Sequence, residues 1–230
     1  MANPPKRFGM ILYDGFQLID VCGPLDVLNV LSTRTEGVSL SLIAEDTQPK
    51  STFPKEWPAN MGMAPFTTSQ TLQPTHTFES APELDVLIVP GGMGSFDPAR
   101  QGQPNSAVVD PIVKFVLERY PKLQYLLTVC TGSGIVSQSG LLDGKNATLF
   151  KGAWEVIPQW RPSVQWQPRA RWTVDGNIWT SSGVASGIDL MFAFVKHIHG
   201  EEIVRDIAGW MEYRVHEDPA NDPFGIDVST

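Results

Sequence analysis

The segment Leu123-Gln124-Tyr125-Leu126-Leu127-Thr128-Val129-Cys130-Thr131-Gly132-Ser133-Gly134 decides the fold. Its first seven residues are a short, mostly apolar run, the pattern of a strand buried on both faces. The run stops at a cysteine, and the residues from 132 to 134 are small enough for a helix to start close against the strand. That layout is a nucleophile elbow, a tight strand-to-helix turn that forces one side chain out at the top of a sheet. The helix start behind it, with free N–H groups and the positive end of its dipole, is expected to stabilise a Cys130 thiolate. The plainer alternative is a buried, inert thiol, because free cysteines often pack in cores.

Similar runs occur on either side. Phe8–Tyr13 ends at Asp14-Gly15, Val38–Ala44 reads as a second strand, and Leu84–Val89 is cut short by Pro90-Gly91-Gly92. Helical spacing fits Asp20–Val30, with Pro24 near its first turn, then Ala107–Tyr120, Gly187–His199 and Glu201–Tyr213. Asp175-Gly176 signals a two-residue hairpin between Arg171–Val174 and Asn177–Ser181. The Pro-containing stretch from Glu45 to Glu83 suggests excursions and a hairpin on the sheet edge. Strands alternating with helices, several of the strands apolar throughout, imply an α/β fold with a mostly parallel sheet covered on both faces.

The chain has 230 residues, 42% of them apolar and 18% charged, enough for one large domain with its own core. With 17 basic and 25 acidic residues the net charge is −8, which disfavours nucleic acid or an anionic membrane as partner. No apolar stretch has the length of a membrane span, and the N-terminus carries no signal-like apolar region. Two cysteines, Cys22 and Cys130, fit a reduced cytoplasmic protein better than a disulfide scaffold. The four histidines show no metal-ligand spacing, so neither metal nor cofactor is expected. The five tryptophans from Trp154 to Trp179 read as core or interface.

In open parallel sheets ligands sit beyond the carboxyl ends of the strands. Cys130 arrives there, as do Pro90-Gly91-Gly92 and the loop before Asp20. Gly91 and Gly92 offer backbone N–H groups which, with the Thr131 N–H and the adjoining Gly132, suggest an oxyanion- and substrate-binding donor set. They fit a tight turn equally well. Asp20 reads either as a helix N-cap or as a carboxyl group that moves protons beside the thiol. Cys22 reads as packing.

From Phe8 to about Tyr213 the sequence resembles the ThiJ/PfpI (DJ-one-like) superfamily. The matching pieces are Asp14-Gly15-Phe16, Ile19-Asp20-Val21-Cys22-Gly23-Pro24, Val89-Pro90-Gly91-Gly92, Val129-Cys130-Thr131-Gly132-Ser133, Gly140-Leu141-Leu142-Asp143-Gly144-Lys145, Thr180-Ser181-Ser182-Gly183 and Ser186-Gly187-Ile188-Asp189. The resemblance implies a flavodoxin-like three-layer sandwich, a single class I glutamine amidotransferase-like domain over residues 1–230 with a tail at 214–230, and a homodimer. Asp20 in place of the usual Glu, and Thr131 after the cysteine, resemble the isocyanide (isonitrile) hydratase branch and related domains of AraC-type regulators. That branch implies a small-molecule substrate, Cys130 attacking the terminal isocyanide carbon, Asp20 moving protons, and Thr131 helping to place them. Many relatives carry a His where this chain reads Ala147-Thr148-Leu149-Phe150-Lys151, which disfavours chemistry needing a Cys–His pair. Two other readings are glyoxalase- or deglycase-type carbonyl detoxification and a cysteine redox sensor without turnover. The short acidic tail after Tyr213 leaves no room for a helix-turn-helix segment, so a DNA-binding regulator is not expected.

Overall fold

The computed structural model describes residues 4–56 and 70–227. Seven strands share one sheet: β1 (Arg7–Ile11), β2 (Ser39–Ala44), β3 (His76–Thr77), β4 (Val86–Val89), β5 (Tyr125–Thr128), β6 (Trp172–Asp175) and β7 (Ile178–Ser181). Their spatial order is β6-β7-β5-β4-β1-β2-β3, and every pair is parallel except the edge pair β6–β7. Six helices accompany them: α1 (Leu18–Ser32), α2 (Ser106–Arg119), α3 (Gly132–Ser137), α4 (Ile157–Trp160), α5 (Ser186–His199) and α6 (Glu201–Trp210).

The connections explain the layers. The chain leaves β1 through α1 toward β2, but leaves β4 through α2 in the opposite direction, toward β5. Right-handed crossovers then put α1 and α2 on opposite faces. α1, α5 and α6 pack together on one side, and α2, α3 and α4 on the other. The strand order reverses between β1 and β4, so the loops beyond their carboxyl ends open a crevice there. β4 is buried at all four residues, which is why it is a continuous apolar run in sequence. Trp172 and Trp179 join the main core, while the half-buried Trp154, Trp160 and Trp166 pack on a smaller cluster around Leu149, Ala153 and Ile157.

The structure moves some expected boundaries. α1 begins at Leu18, so Pro24 falls in its second turn and removes the bond to the Asp20 carbonyl. The hairpin pairs Asp175 with Ile178, so its two-residue loop is Gly176-Asn177, one residue later than expected. In the 45–83 stretch, Lys50–Ser51 and Thr71–Leu72 form their own antiparallel pair, apart from the main sheet. The part of that stretch between residues 56 and 70 lies outside the described residues.

The described residues of the C-terminal segment pack on their own chain. The Arg171 N–H donates to the Pro219 carbonyl at 2.8 Å, and the Asp222 N–H to the Arg169 carbonyl at 2.9 Å. The Arg171 guanidinium lies between Asp189 of α5 at 2.5 Å and Asp222 at 3.4 Å, all three buried. Asp189 Oδ1 also accepts from the Tyr213 hydroxyl and the His216 N–H, both at 3.0 Å. Removing the cation would leave the buried Asp189 without a positive partner and Asp222 with Lys151 alone, at 3.6 Å. Arg171→Met is therefore expected to cost about 3–5 kcal/mol, read from the urea unfolding midpoint. An unchanged midpoint would show that water replaces the guanidinium.

Candidate active site

Cys130 has the left-handed φ of +60° that an elbow demands. A non-glycine residue holds such a conformation only at a cost, on the order of 1–3 kcal/mol, and only where its surroundings over-determine it. Here the Cys130 N–H is held by the carbonyls of Ser181 and Ser182, at 3.2 and 3.1 Å, just past β7. α3 starts so close to β4 that a Cβ on Gly132 would lie 2.2 Å from the Val89 carbonyl oxygen. A Cβ on Gly91 would lie 2.4 Å from the Thr131 nitrogen. The turn after β4 and the elbow after β5 therefore interlock through two glycines.

Asp20 is not a cap. The N-cap position of α1 is Gln17, and no side chain caps the helix. Asp20 instead points inward with no exposed surface, and its Oδ2 accepts the Gly91 N–H at 2.9 Å. Its Oδ1 is buried without a conventional hydrogen-bond partner, and the Cys130 thiol lies beside the carboxyl group. Burial pushes the Asp20 carboxyl up to about 7, against the opposing pull of the Gly91 N–H and the thiol.

Cys130 is only 4% exposed. Burial, and then the charge of Asp20, hold its thiol well above the ordinary cysteine range, although N–H groups of Val184 and Thr131 pull the other way. The electrostatics run against the expected preformed thiolate: the N–H groups of Thr131, at the start of α3, and of Val184, in the loop before α5, do not outweigh burial next to a carboxylate. Below the ionisation of Asp20 both groups hold their protons; once the carboxyl ionises, the thiol proton faces a carboxylate.

The oxyanion donor set is also corrected. The Gly91 N–H goes to Asp20, the Gly92 N–H to the Thr131 hydroxyl at 2.9 Å, and the Gly132 N–H to the Val129 carbonyl at 2.9 Å. The Thr131 N–H faces the Cys130 sulfur. None of these groups is left over for a substrate oxygen. The Thr131 hydroxyl ties the elbow to the Gly92 turn, where Ser95 Oγ also reaches it at 3.3 Å.

Sequence reasoning missed two neighbours. Val184, in the loop before α5, supplies an N–H to the sulfur from a left-handed backbone with φ of +45°, an outlier for a β-branched residue. Tyr13, just past β1, is buried and feels the charges of both Asp20 and Cys130. On its other side lies a cavity of about 510 Å³, whose walls include Leu12, Lys55, Phe78, Phe96 and Asn105 but neither Cys130 nor Asp20. Cys22 is a free, half-buried thiol. None of the four histidines hydrogen-bonds to Cys130. Among the described residues no group of three or more His, Cys, Asp or Glu side chains is placed to hold a metal. Among them, too, no helix is long and apolar enough to cross a membrane.

With this geometry in hand, the match of residues 6–197 to the DJ-1/PfpI family is decisive. The chain belongs to the DJ-1/PfpI family. It is 28% identical over 207 residues to an isonitrile hydratase of Pseudomonas putida, covering 90% of this chain and 78% of that one. It is 27% identical over 216 residues to the HTH-type transcriptional regulator GbdR of Pseudomonas aeruginosa, covering 91% of this chain. This chain spans about half the length of that regulator, 51%. A ThiJ/PfpI family protein from Pseudomonas syringae has the same fold at a TM-score of 0.70, with 22% identity over 97% of this chain and 78% of that one. Drosophila melanogaster DJ-1beta gives 0.66 at 16% identity, over 91% of this chain and 98% of that one. These likenesses establish the flavodoxin-like architecture of the DJ-1/PfpI family.

The buried Asp20 carries a stability consequence with a definite sign. An acid whose folded pKa lies above its unfolded value burdens the fold at pH values where the unfolded chain has ionised and the folded one must follow. The burden is absent below about pH 4, grows through the interval, and is complete above about pH 7. Asp20→Asn is thus expected to unfold at higher temperature than wild type near pH 8, by on the order of 3–4 kcal/mol in stability. The gain should fade as pH falls toward about 4; a difference independent of pH would contradict the buried carboxylate.

Proposed function

We propose that this protein is a cysteine hydratase that adds water to an isocyanide and releases an N-substituted formamide. The observation that carries the reading is the buried Cys130–Asp20 pair, with the thiol against the carboxyl group and no histidine hydrogen-bonded to it. Isocyanide hydration asks for little else. The terminal carbon must receive a sulfur nucleophile and then a proton, and no oxyanion develops in that first step. Acyl transfer would need free donors for an oxyanion, and the N–H groups of Gly91, Gly92 and Gly132 are all engaged.

The sequence of events follows from one proton. Asp20 accepts the thiol proton as Cys130 sulfur bonds to the terminal carbon. It then delivers that proton to the same carbon, leaving a thioimidate, R–N=CH–S–Cys130. Asp20, again a carboxylate, takes a proton from a water as its oxygen adds to the carbon, and passes that proton to the nitrogen. Collapse of the tetrahedral adduct breaks the carbon–sulfur bond, returns a proton to sulfur and gives R–NH–CHO. The atoms of substrate plus water equal those of the formamide, and no oxidant enters. The 28% identity to an isonitrile hydratase supports this assignment.

Formamide production from para-nitrophenyl isocyanide tests it. Wild type is expected to turn over, with kcat/KM rising through about pH 7 as Asp20 ionises. Cys130→Ala and Asp20→Asn should each lose at least about a hundredfold, the usual scale for a nucleophile or proton carrier. A wild type that binds isocyanide or reacts with thiol reagents without releasing formamide would overturn the hydratase in favour of a sensing role. Lactate from methylglyoxal would favour carbonyl detoxification.

A further inference from the structure

Three features lie outside the dyad: the buried cluster around Arg171, the cavity beside Tyr13, and Tyr13 itself. The cluster is held by ion pairs within its own chain, and the cavity does not open onto either reacting side chain. Tyr13 does connect to the chemistry, and by a closed path.

Tyr13 lies two residues beyond β1, just before the Asp14-Gly15 turn, and is 6% exposed. Its hydroxyl donates to the Pro90 carbonyl at 3.2 Å, a buried bond across 77 residues of sequence. Pro90 precedes Gly91, whose N–H holds Asp20 Oδ2 at 2.9 Å. Gly91 is tied back by its carbonyl, which accepts the Gln17 N–H at 2.8 Å, while the Gln17 carbonyl accepts the Asp20 N–H at 3.1 Å. The loop after β1 and the turn after β4 therefore form a ring closed by hydrogen bonds. Apart from Asp20 itself, Tyr13 contributes the one side chain among these bonds.

We propose that Tyr13 is a positioning residue which, through Pro90, aims the Gly91 N–H at Asp20 and so sets the pH at which the carboxyl group beside Cys130 ionises. The proposal rests on the Cys130–Asp20 dyad described above. Its logic is local. The Gly91 N–H favours the charged form of Asp20. A Pro90 carbonyl without Tyr13 would be a buried acceptor lacking a partner, and the turn would shift to find one. The Gly91 N–H would then point less well at Asp20, and the carboxyl would hold its proton to higher pH. The titratable groups facing Asp20 among the described residues are Tyr13, from beyond β1, and Cys130, from the elbow. The loop before α5 brings only backbone N–H from Val184 to the sulfur. Tyr13 stays a neutral donor throughout, because burial and the charges of Asp20 and Cys130 keep its phenol well above the ordinary range.

The test reads the thiol directly and needs no isocyanide. The rate of Cys130 alkylation by iodoacetamide is followed against pH in wild type, Tyr13→Phe, Asp20→Asn and Ser95→Ala. Wild type should show a lower inflection where Asp20 ionises, and Asp20→Asn should lack it. In Tyr13→Phe that inflection should move upward, by roughly threefold or more in proton affinity, the scale of one weakened hydrogen bond. Ser95→Ala, which loosens the same turn at the Gly92 carbonyl without touching the Asp20 branch, should leave it in place. An inflection unmoved in Tyr13→Phe overturns the positioning role, even if that variant melts earlier. Loss of formamide production with the inflection intact would instead remove the hydratase reading alone. If Tyr13→Phe does not fold, wild type with 13C-labelled tyrosine serves. The Tyr13 ring signals should shift through the alkylation inflection, and a flat trace overturns the proposal.

Discussion

The carboxyl group of Asp20 is wholly buried, with one backbone N–H, from Gly91, to replace the several water contacts it would have outside. Desolvation of that kind is costly enough that the group holds its proton to about neutral pH. The burial of Cys130 beside it has the same effect on the thiol, and each negative charge discourages the other. Two groups that both resist ionisation, placed together, become a carrier for one proton. The rest of the site follows from keeping that pair dry and aligned.

The fold supplies the alignment through close approach. Asp20 comes from the first turn of α1, its anchor Gly91 from the turn after β4, and Cys130 from the elbow after β5. β1, β4 and β5 are consecutive neighbours in the sheet, so their carboxyl ends meet at the point where strand order reverses. Gly91 and Gly132 let the turns touch, since a side chain at either would collide with backbone. Strain is concentrated at the same place. Cys130 and Val184 both have left-handed backbones, and each directs a polar group toward the reacting sulfur or is itself the residue that carries it. Strain at such positions persists only where the surroundings hold it, and at Cys130 the bonds from its N–H to the Ser181 and Ser182 carbonyls do so.

Much of this was legible in the chain. β4 and β5 are buried on both faces, and that leaves a continuous apolar run whose abrupt stop marks the turn. Cys130 followed by small residues announced the elbow, because a helix can begin so near a strand only without bulk. Other features were not written locally. Asp20 near a helix start is chemically equal to a cap until its direction is known, and the direction depends on Gly91, 71 residues away. The N–H groups of Gly91 and Gly92 seemed available for a substrate because their acceptors, Asp20 and Thr131, lie far off in sequence. The thiolate expectation failed for a related reason: helix-dipole stabilisation is a local property, whereas burial beside a carboxylate is a tertiary one. The packing of the C-terminal segment was not written locally either, because Asp222, its buried anchor, meets Arg171 only in the folded molecule.

The central claim is that Cys130 enters the reaction as a thiol beside Asp20, and not as a standing thiolate. Ultraviolet thiolate absorbance against pH, taken as the difference between wild type and Cys130→Ser, measures this directly. The account predicts no thiolate signal near pH 7, with one emerging only above the ordinary cysteine range of about 8.5. A full thiolate signal at or below about pH 6 would contradict it, and would return the site to a nucleophile activated by the helix start alone.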